Sequence, residues 1–242
     1  MKKVLYLNKK EGETPLETIK RYQKENPEYE KEKMTYAGRL DPMAEGVLIV
    51  LVGEECKKKE EYLGMNKEYE FEVLWGFKTD TYDILGLPQS TWTSDVQVEV
   101  GSLLDGLKGK KSFKYPPYSS MTVEGKQLFQ WAREGRLDEI EIPEKEVEIY
   151  EIKKTGDYQL DKEELRTNIQ ERISLVKGDF RQEEILSGWC EEFEKDSREK
   201  YTVSKFKVTC SSGTYVRSIA NKLGEKTGVG AIAFKINRTK IF

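Results

Sequence analysis

The 242 residues are 37% hydrophobic and 35% charged, with 11% aromatic side chains and a formal net charge of −3. That is enough apolar material for one large domain or two small ones, and too much aromatic content for a disordered chain. Histidine is absent, which excludes Ser-His-Asp and Cys-His nucleophilic sites and HExxH metal sites. No apolar run reaches membrane length, Met1-Lys2-Lys3-Val4 lacks the apolar stretch of a signal peptide, and Cys56, Cys190 and Cys210 follow neither metal-site nor disulfide-framework spacing. The expectations are therefore a cytoplasmic chain with no membrane span, no metal and no cofactor.

Thr14-Pro15-Leu16-Glu17 combines an N-cap, a proline at the first helical position and Glu at N3, so a helix starts there, with Leu16, Ile19, Tyr22 and Gln23 on one face and Asn26-Pro27 as its stop. Residues 36–46 read as a loop, with two glycines and Pro42, and lead into Val47–Val52, an apolar run expected as a strand buried on both faces. In residues 67–75 Tyr69, Phe71, Val73 and Trp75 alternate with Glu68, Glu70 and Glu72, the pattern of a half-buried antiparallel strand. After Thr93-Ser94, Val96, Val100, Leu103, Leu104 and Leu107 recur at helical spacing. Phe206, Val208 and Cys210 mark another strand, and Thr214 is expected to cap a helix with Val216, Ile219, Ala220 and Leu223 on its core side. The order shows no regular βαβ alternation, so the fold class expected is α+β: a mixed, largely antiparallel sheet flanked by helices.

Charge is spread unevenly. Residues 155–200 hold 13 acidic and 8 basic side chains, a net of −5, whereas the remainder holds 33 basic and 31 acidic, a net of +2. We read the segment as an acidic, mostly helical insertion, an excursion that could be removed from the sheet.

Tyr36-Ala37-Gly38-Arg39-Leu40-Asp41-Pro42-Met43-Ala44-Glu45-Gly46-Val47-Leu48 places an aspartate between Leu and Pro in a glycine-containing loop that enters a buried strand. A bare Leu-Asp-Pro is more often a turn than a site. Here it does not stand alone. Lys67-Glu68-Tyr69 is followed by Gly76 and Thr79-Asp80-Thr81-Tyr82-Asp83; Tyr115-Pro116-Pro117-Tyr118-Ser119-Ser120 by Gly125-Lys126 and Ala132-Arg133-Glu134-Gly135; and Cys210 to Ser218 contains Gly213-Thr214-Tyr215-Val216-Arg217. In this order and spacing the motifs, over roughly residues 1–150 and 201–242, resemble those of TruB-type pseudouridine synthases.

The resemblance implies a pseudouridine synthase fold and isomerisation of uridine to pseudouridine, with position 55 in the T-loop of tRNA as the expected target. Asp41 is then the catalytic carboxylate, acting either as nucleophile at C1′ or as a base on the sugar. Tyr69, by pattern a core tyrosine, becomes the aromatic platform for a flipped base and a candidate helper in removing the C5 proton. Arg217, in the first turn of a helix where the dipole disfavours a cation, becomes the partner that holds Asp41 ionised and aimed. Tyr36, Gly38 and Arg39 of the same loop, with Lys57, Asp83, Tyr215 and Ile236, are implied substrate-side residues. Tyr36 stands where the family commonly has histidine, and the segment around Lys114 to Arg136 is similar to the family's mobile RNA clamp.

The expectation is thus one catalytic domain over residues 1–242, without the PUA-like domain many relatives carry, monomeric, and acting on the tRNA T-arm. Two alternatives stand beside it: a non-catalytic tRNA-folding chaperone, and a synthase for another RNA.

Overall fold

In the computed structural model, residues 2–92 and 100–242 are described. The first strand, β1 (Val4–Lys9), is followed by α1 (Pro15–Glu25), β2 (Met34–Ala37) and β3 (Ala44–Val52). Next come α2 (Lys59–Leu63), β4 (Lys67–Trp75), β5 (Phe77–Thr79), β6 (Pro88–Ser90) and α3 (Gly101–Asp105). The middle of the chain forms β7 (Gly109–Lys114), β8 (Thr122–Val123), β9 (Lys126–Gln127), α4 (Leu128–Arg133) and the long β10 (Glu144–Asp161). It closes with α5 (Lys162–Ser174), α6 (Gln182–Lys195), β11 (Lys200–Cys210), α7 (Val216–Thr227) and β12 (Ala231–Ile241).

An eight-stranded sheet runs β1-β3-β12-β4-β11-β10-β7, with β2 added against β3. The β3–β12 pairing is parallel, over Ala44–Gly46 and Ile236–Arg238, and the other described pairings are antiparallel. This is the mixed, largely antiparallel α+β sheet expected from the sequence. Gly46, at φ +109°, makes the parallel contact feasible: a Cβ there would run into the Arg238 backbone. β12 thereby lies between the strand that follows Asp41 and the strand that carries Tyr69, whose Cα partner on β12 is Arg238.

Both faces of the sheet are covered. On one, Tyr69, Phe71, Val73 and Trp75 of β4 join Phe206, Val208 and Cys210 of β11 beneath Val216, Ile219, Ala220 and Leu223 of α7. The alternation seen in the sequence is therefore the sheet's inner face. α7 begins one residue later than expected: Tyr215 is its N-cap residue, and the Thr214 hydroxyl donates instead to Ser211 O at 2.9 Å. α1 carries the expected capping box between Thr14 and Glu17, but Leu16 faces solvent at 54% exposure while Pro15, Thr18 and Ile19 are buried. Val100, Leu104 and Leu107 enter the core as read; Thr93, Ser94 and Val96 fall outside the described residues.

The acidic segment is helical, but it is no excursion. α5 buries Leu165, Ile169 and Ile173, and α6 buries Ile185, Trp189 and Phe193, each pair four residues apart, so each helix turns one apolar stripe inward. They close a second core with Leu74, Phe77, Tyr201, Val203, Ile232 and Phe234 on the sheet's other face. Phe77 packs at 5.0 Å from Trp189, whose indole donates to Ile84 O at 3.0 Å. At roughly 1.5–3 kcal/mol per buried side chain, the six helical residues contribute an amount comparable to a whole domain's net stability of about 5–15 kcal/mol. Glu163, Glu164, Glu171, Glu183, Glu184, Glu191 and Glu194 take the exposed positions, which is where the net negative count comes from.

Candidate active site

The loop Gly38–Met43 spans from β2 to β3 and is held from beneath by two buried cations. Lys9, the last residue of β1, donates through Nζ to Ala44 O at 2.5 Å, to Lys10 O at 3.1 Å and to Pro42 O at 3.4 Å. Burial pulls this lysine down to about 8, with the nearby charge of Asp41 opposing the shift. Arg238 on β12 donates to Val47 O at 2.7 Å and to Gly38 O at 3.0 Å. The loop's backbone carbonyls thus find donors inside the protein, and the aspartate side chain is left for other work.

Asp41 meets Arg217 there. Arg217 Nε donates to Asp41 Oδ2 at 2.8 Å, with the arginine side chain 3% exposed and the aspartate 29% exposed. The expected pairing is made, yet not as a two-pronged fork: Nη1 donates to Thr81 O at 2.5 Å and Nη2 to Tyr118 O at 3.2 Å. One guanidinium therefore joins three segments, the Asp41 loop, the loop after β5 and the segment after β7. Its buried charge is raised further in pKa by Asp41 and Asp83, against the cost of burial. Asp41 Oδ1 has no protein donor among the described residues, so this carboxylate is fixed at one oxygen and open at the other.

Asp83 lies behind the pair. Its Oδ1 accepts from Thr81 Oγ1 at 2.8 Å and from Leu85 N at 3.0 Å, and its Oδ2 faces Arg217 Nε at 3.7 Å. Burial pushes its carboxyl up to about 6; Arg217 counters that and Asp41 adds to it. Tyr215, half-buried at the start of α7, is pushed up to about 12 by burial and then by Asp41, and it packs edge-on to Tyr115 at 5.7 Å. Tyr69 and Ile236 share a buried cluster with Leu40 and Ala44, which flank Asp41 in sequence. Burial raises the Tyr69 phenol, so at neutral pH it keeps its proton.

The remaining expected residues divide. Tyr36 and Arg39 come together, Arg39 Nη2 donating to the Tyr36 hydroxyl at 3.2 Å, and Lys59 Nζ stands 5.5 Å over the Tyr36 ring. Gly38, at φ +79°, lets the chain turn above Arg238. Lys57 lies beyond the end of β3, and its exposed ammonium pairs with Glu54. In the segment around Lys114 to Arg136, three of the four cations are paired within the protein: Lys126 with Glu134, Arg133 with Asp179 and Arg136 with Glu139. Such exposed pairs are worth little and exchange readily.

Lys9, Thr81 and Arg238 were not singled out by the sequence. Strand parity carried a signal for two of them: Lys9 continues the inward series Leu5, Leu7, and Arg238 lies two residues beyond the buried Ile236, so a cation occupies a core position in each. Thr81 acts through its backbone carbonyl and left no such mark.

A mixed sheet covered on both faces, with Asp41 held by the buried Arg217 in the loop between β2 and β3, is the arrangement expected of a pseudouridine synthase. The fold is shared with the protein in the crystal structure of a Cbf5-Nop10-Gar1 complex, at a TM-score of 0.58 and 17% identity over 98% of this chain and 48% of that one. In sequence, residues 26–174 match the TruB family pseudouridylate synthase (N terminal domain), and the chain belongs to that family. It is 31% identical to tRNA pseudouridine synthase B of Caldicellulosiruptor saccharolyticus over 211 residues, 87% of this chain and 58% of the relative. Over 238 residues it is 26% identical to tRNA pseudouridine synthase B of Aquifex aeolicus, 98% of this chain and 67% of the relative. The chain thus spans about three-fifths of the length of such relatives.

Proposed function

We propose that this chain isomerises uridine to pseudouridine in RNA, with the T-loop uridine at position 55 of tRNA as its substrate. The observation that carries the reading is the buried Arg217 bonded to a single oxygen of a partly open Asp41. The reaction breaks the bond between N1 and C1′, turns the uracil, and joins C5 to C1′; the proton leaves C5 and N1 gains one. A carboxylate at the sugar serves this either by attacking C1′ or by taking a sugar proton, and a cation bonded to one of its oxygens aims the other at the sugar. Tyr69 and Ile236 supply an apolar wall beside it for a base taken out of its stack. Tyr36, Arg39 and Lys59 form a partly exposed basic and aromatic patch next to the loop, suited to backbone and base contacts. None of the three thiols is in a disulfide, which agrees with a cytoplasmic setting, and no described helix is long and apolar enough to cross a membrane.

The test is conversion of a tRNA transcript, read by mapping pseudouridine along it. Wild type is expected to modify the T-loop uridine, and Asp41→Asn to lose roughly 10⁴-fold in turnover while keeping RNA affinity within about tenfold. Turnover by Asp41→Asn near the wild-type rate would remove Asp41 from the chemistry. Modification confined to another position or another RNA would replace the substrate.

A further inference from the structure

The α5–α6 turn reaches the site through one residue that nothing in the motifs suggested. Arg181 directly precedes α6 and adopts φ 62° and ψ 30°, the left-handed region that L side chains seldom occupy. Strain of this kind persists only where the surroundings over-determine it, and here they do. Arg181 N donates to Asp179 Oδ1 at 3.3 Å. Gln182 Nε2 donates to Val176 O at 3.0 Å and Gly178 O at 2.8 Å, and its Oε1 accepts from Phe180 N at 2.9 Å. The turn is braced by its own side chains.

That geometry aims the Arg181 guanidinium back across the molecule. It pairs with Asp80 Oδ2 at 2.9 Å, its side chain 17% exposed, and lies over the Tyr118 ring at 4.3 Å. Asp80 is itself fixed, accepting from Leu87 N at 2.8 Å. The partners are telling. Arg217 rests on two backbone carbonyls, those of Thr81 and Tyr118. Arg181 holds the residue next to the first and the side chain of the second. A neighbouring contact acts in the same sense: Arg133, in the segment that carries Tyr118, donates to Asp179 Oδ2 at 3.0 Å and to Asp179 O at 2.6 Å.

We propose that Arg181 is a positioning residue for the reaction: it clamps the Asp80–Thr81 and Tyr118 segments together, so that the two carbonyls aiming Arg217, and through it Asp41, keep their places. The proposal rests on the reading of Asp41 and Arg217 as the catalytic pair, and it gives the α5–α6 hairpin a part in turnover beyond covering the sheet.

The experiment compares Arg181→Gln, Arg181→Lys and Arg166→Gln, the last on the same hairpin away from the site, in steady-state assays on a tRNA transcript. Arg181→Gln is expected to lower kcat roughly 10- to 100-fold, the scale of a small misplacement of reacting groups, with KM within about threefold. Arg181→Lys restores part of the loss, since its charge reaches Asp80 while its shape cannot cover the Tyr118 ring. Arg166→Gln leaves both constants unchanged. Combining Arg181→Gln with Asp80→Asn adds little to the larger single loss, as expected for two halves of one contact. An unaltered kcat in Arg181→Gln overturns the proposal, and so does a change confined to KM, which would make Arg181 an RNA contact. Should Arg181→Gln not fold, Tyr118→Leu, which removes the ring and keeps the carbonyl, carries the same expectation.

A second readout does not need turnover. The Nε–H resonance of Arg217, assigned by its loss in Arg217→Lys, is expected to shift and to exchange with solvent at least about tenfold faster in Arg181→Gln. An unchanged resonance overturns the clamp. Absence of activity in wild type on every RNA tried would instead overturn the catalytic reading, with the resonance still deciding about the clamp.

Discussion

The two faces of the sheet solve opposite problems. Around Asp41 the protein buries charge: Lys9, Asp83, Arg217 and Arg238 are each 4% exposed or less, and each is bonded to a backbone carbonyl, a carboxylate or a hydroxyl. On the other face α5 and α6 turn apolar stripes inward and leave most of their carboxylates in water, with Arg172 of α5 paired to Glu11 beside them. A buried charge is costly until every partner is present, so the first face is specific and easily broken. The apolar face is additive, and each residue contributes its share. The comparison also shows what a net charge measures. The count of −5 over residues 155–200 describes the outside of two helices; their inside is visible only in the four-residue spacing of Leu165, Ile169 and Ile173 and of Ile185, Trp189 and Phe193.

The comparison can be broken most completely at the hairpin. Replacing residues 162–199 with a short Gly/Ser bridge is expected to abolish the cooperative thermal transition, because the apolar area it exposes rivals the whole stability of the domain. A shortened protein that still melts sharply would make α5 and α6 an accessory after all. On the charged face, Arg217→Lys is expected to fold and to lose roughly 10²–10³-fold in kcat. One ammonium cannot bond Asp41, Thr81 O and Tyr118 O in a single plane, and nearly full activity would show that the three-way junction is dispensable.

Tyr69 lies where the two kinds of packing meet, with an apolar ring next to Arg238 and Asp41. Tyr69→Leu is expected to weaken RNA binding by roughly 1–3 kcal/mol, the worth of one base stacked on an aromatic face, whereas Tyr69→Phe keeps that affinity. Equal binding by wild type and both variants, in a direct titration, would return Tyr69 to the core.

The smallest effect concerns pH. Asp83 is held at about 6 when folded, above an ordinary value of 3.8. The folded chain therefore keeps a proton that the unfolded chain releases, so this residue's contribution is present at low pH and is lost as the pH rises from about 4 to about 6. A carboxylate lowered by an ion pair, such as Glu13 beside Arg21, has the opposite sign. The difference in Tm between wild type and Asp83→Asn is expected to fall across that window and to level off above it. A flat difference would mean that Asp83 is ionised throughout, held so by Arg217.

Much of this was legible before the structure. Period-two alternation found β4 and β11, the Thr14 capping box found α1, and the Asp41 loop and Arg217 were found as parts of motifs that occur in order. What stayed hidden shares a cause. Lys9, Arg238 and Arg181 act on backbone carbonyls, or on a ring and a carboxylate far away in sequence, and a carbonyl has no letter in the sequence. Thr214 failed as a cap because a tight turn onto Ser211 O claimed its hydroxyl first.

The place of β12 bears on how the molecule is made. It is built from residues 231–241, yet it fills the middle of the sheet, between strands that leave the ribosome much earlier. At ordinary elongation rates β4 waits roughly 10–30 s for that neighbour. During this interval the β4 edge that faces β12, all of Lys67–Trp75, has unpaired donors and acceptors, which is an invitation to foreign strands. Arg238, which anchors the Asp41 loop, arrives with the same strand. A nascent chain that has already translated its aspartate therefore has no organised centre until β12 slides in. This is a slow, non-local closing step, and the Asp41 loop gains its anchor only with it.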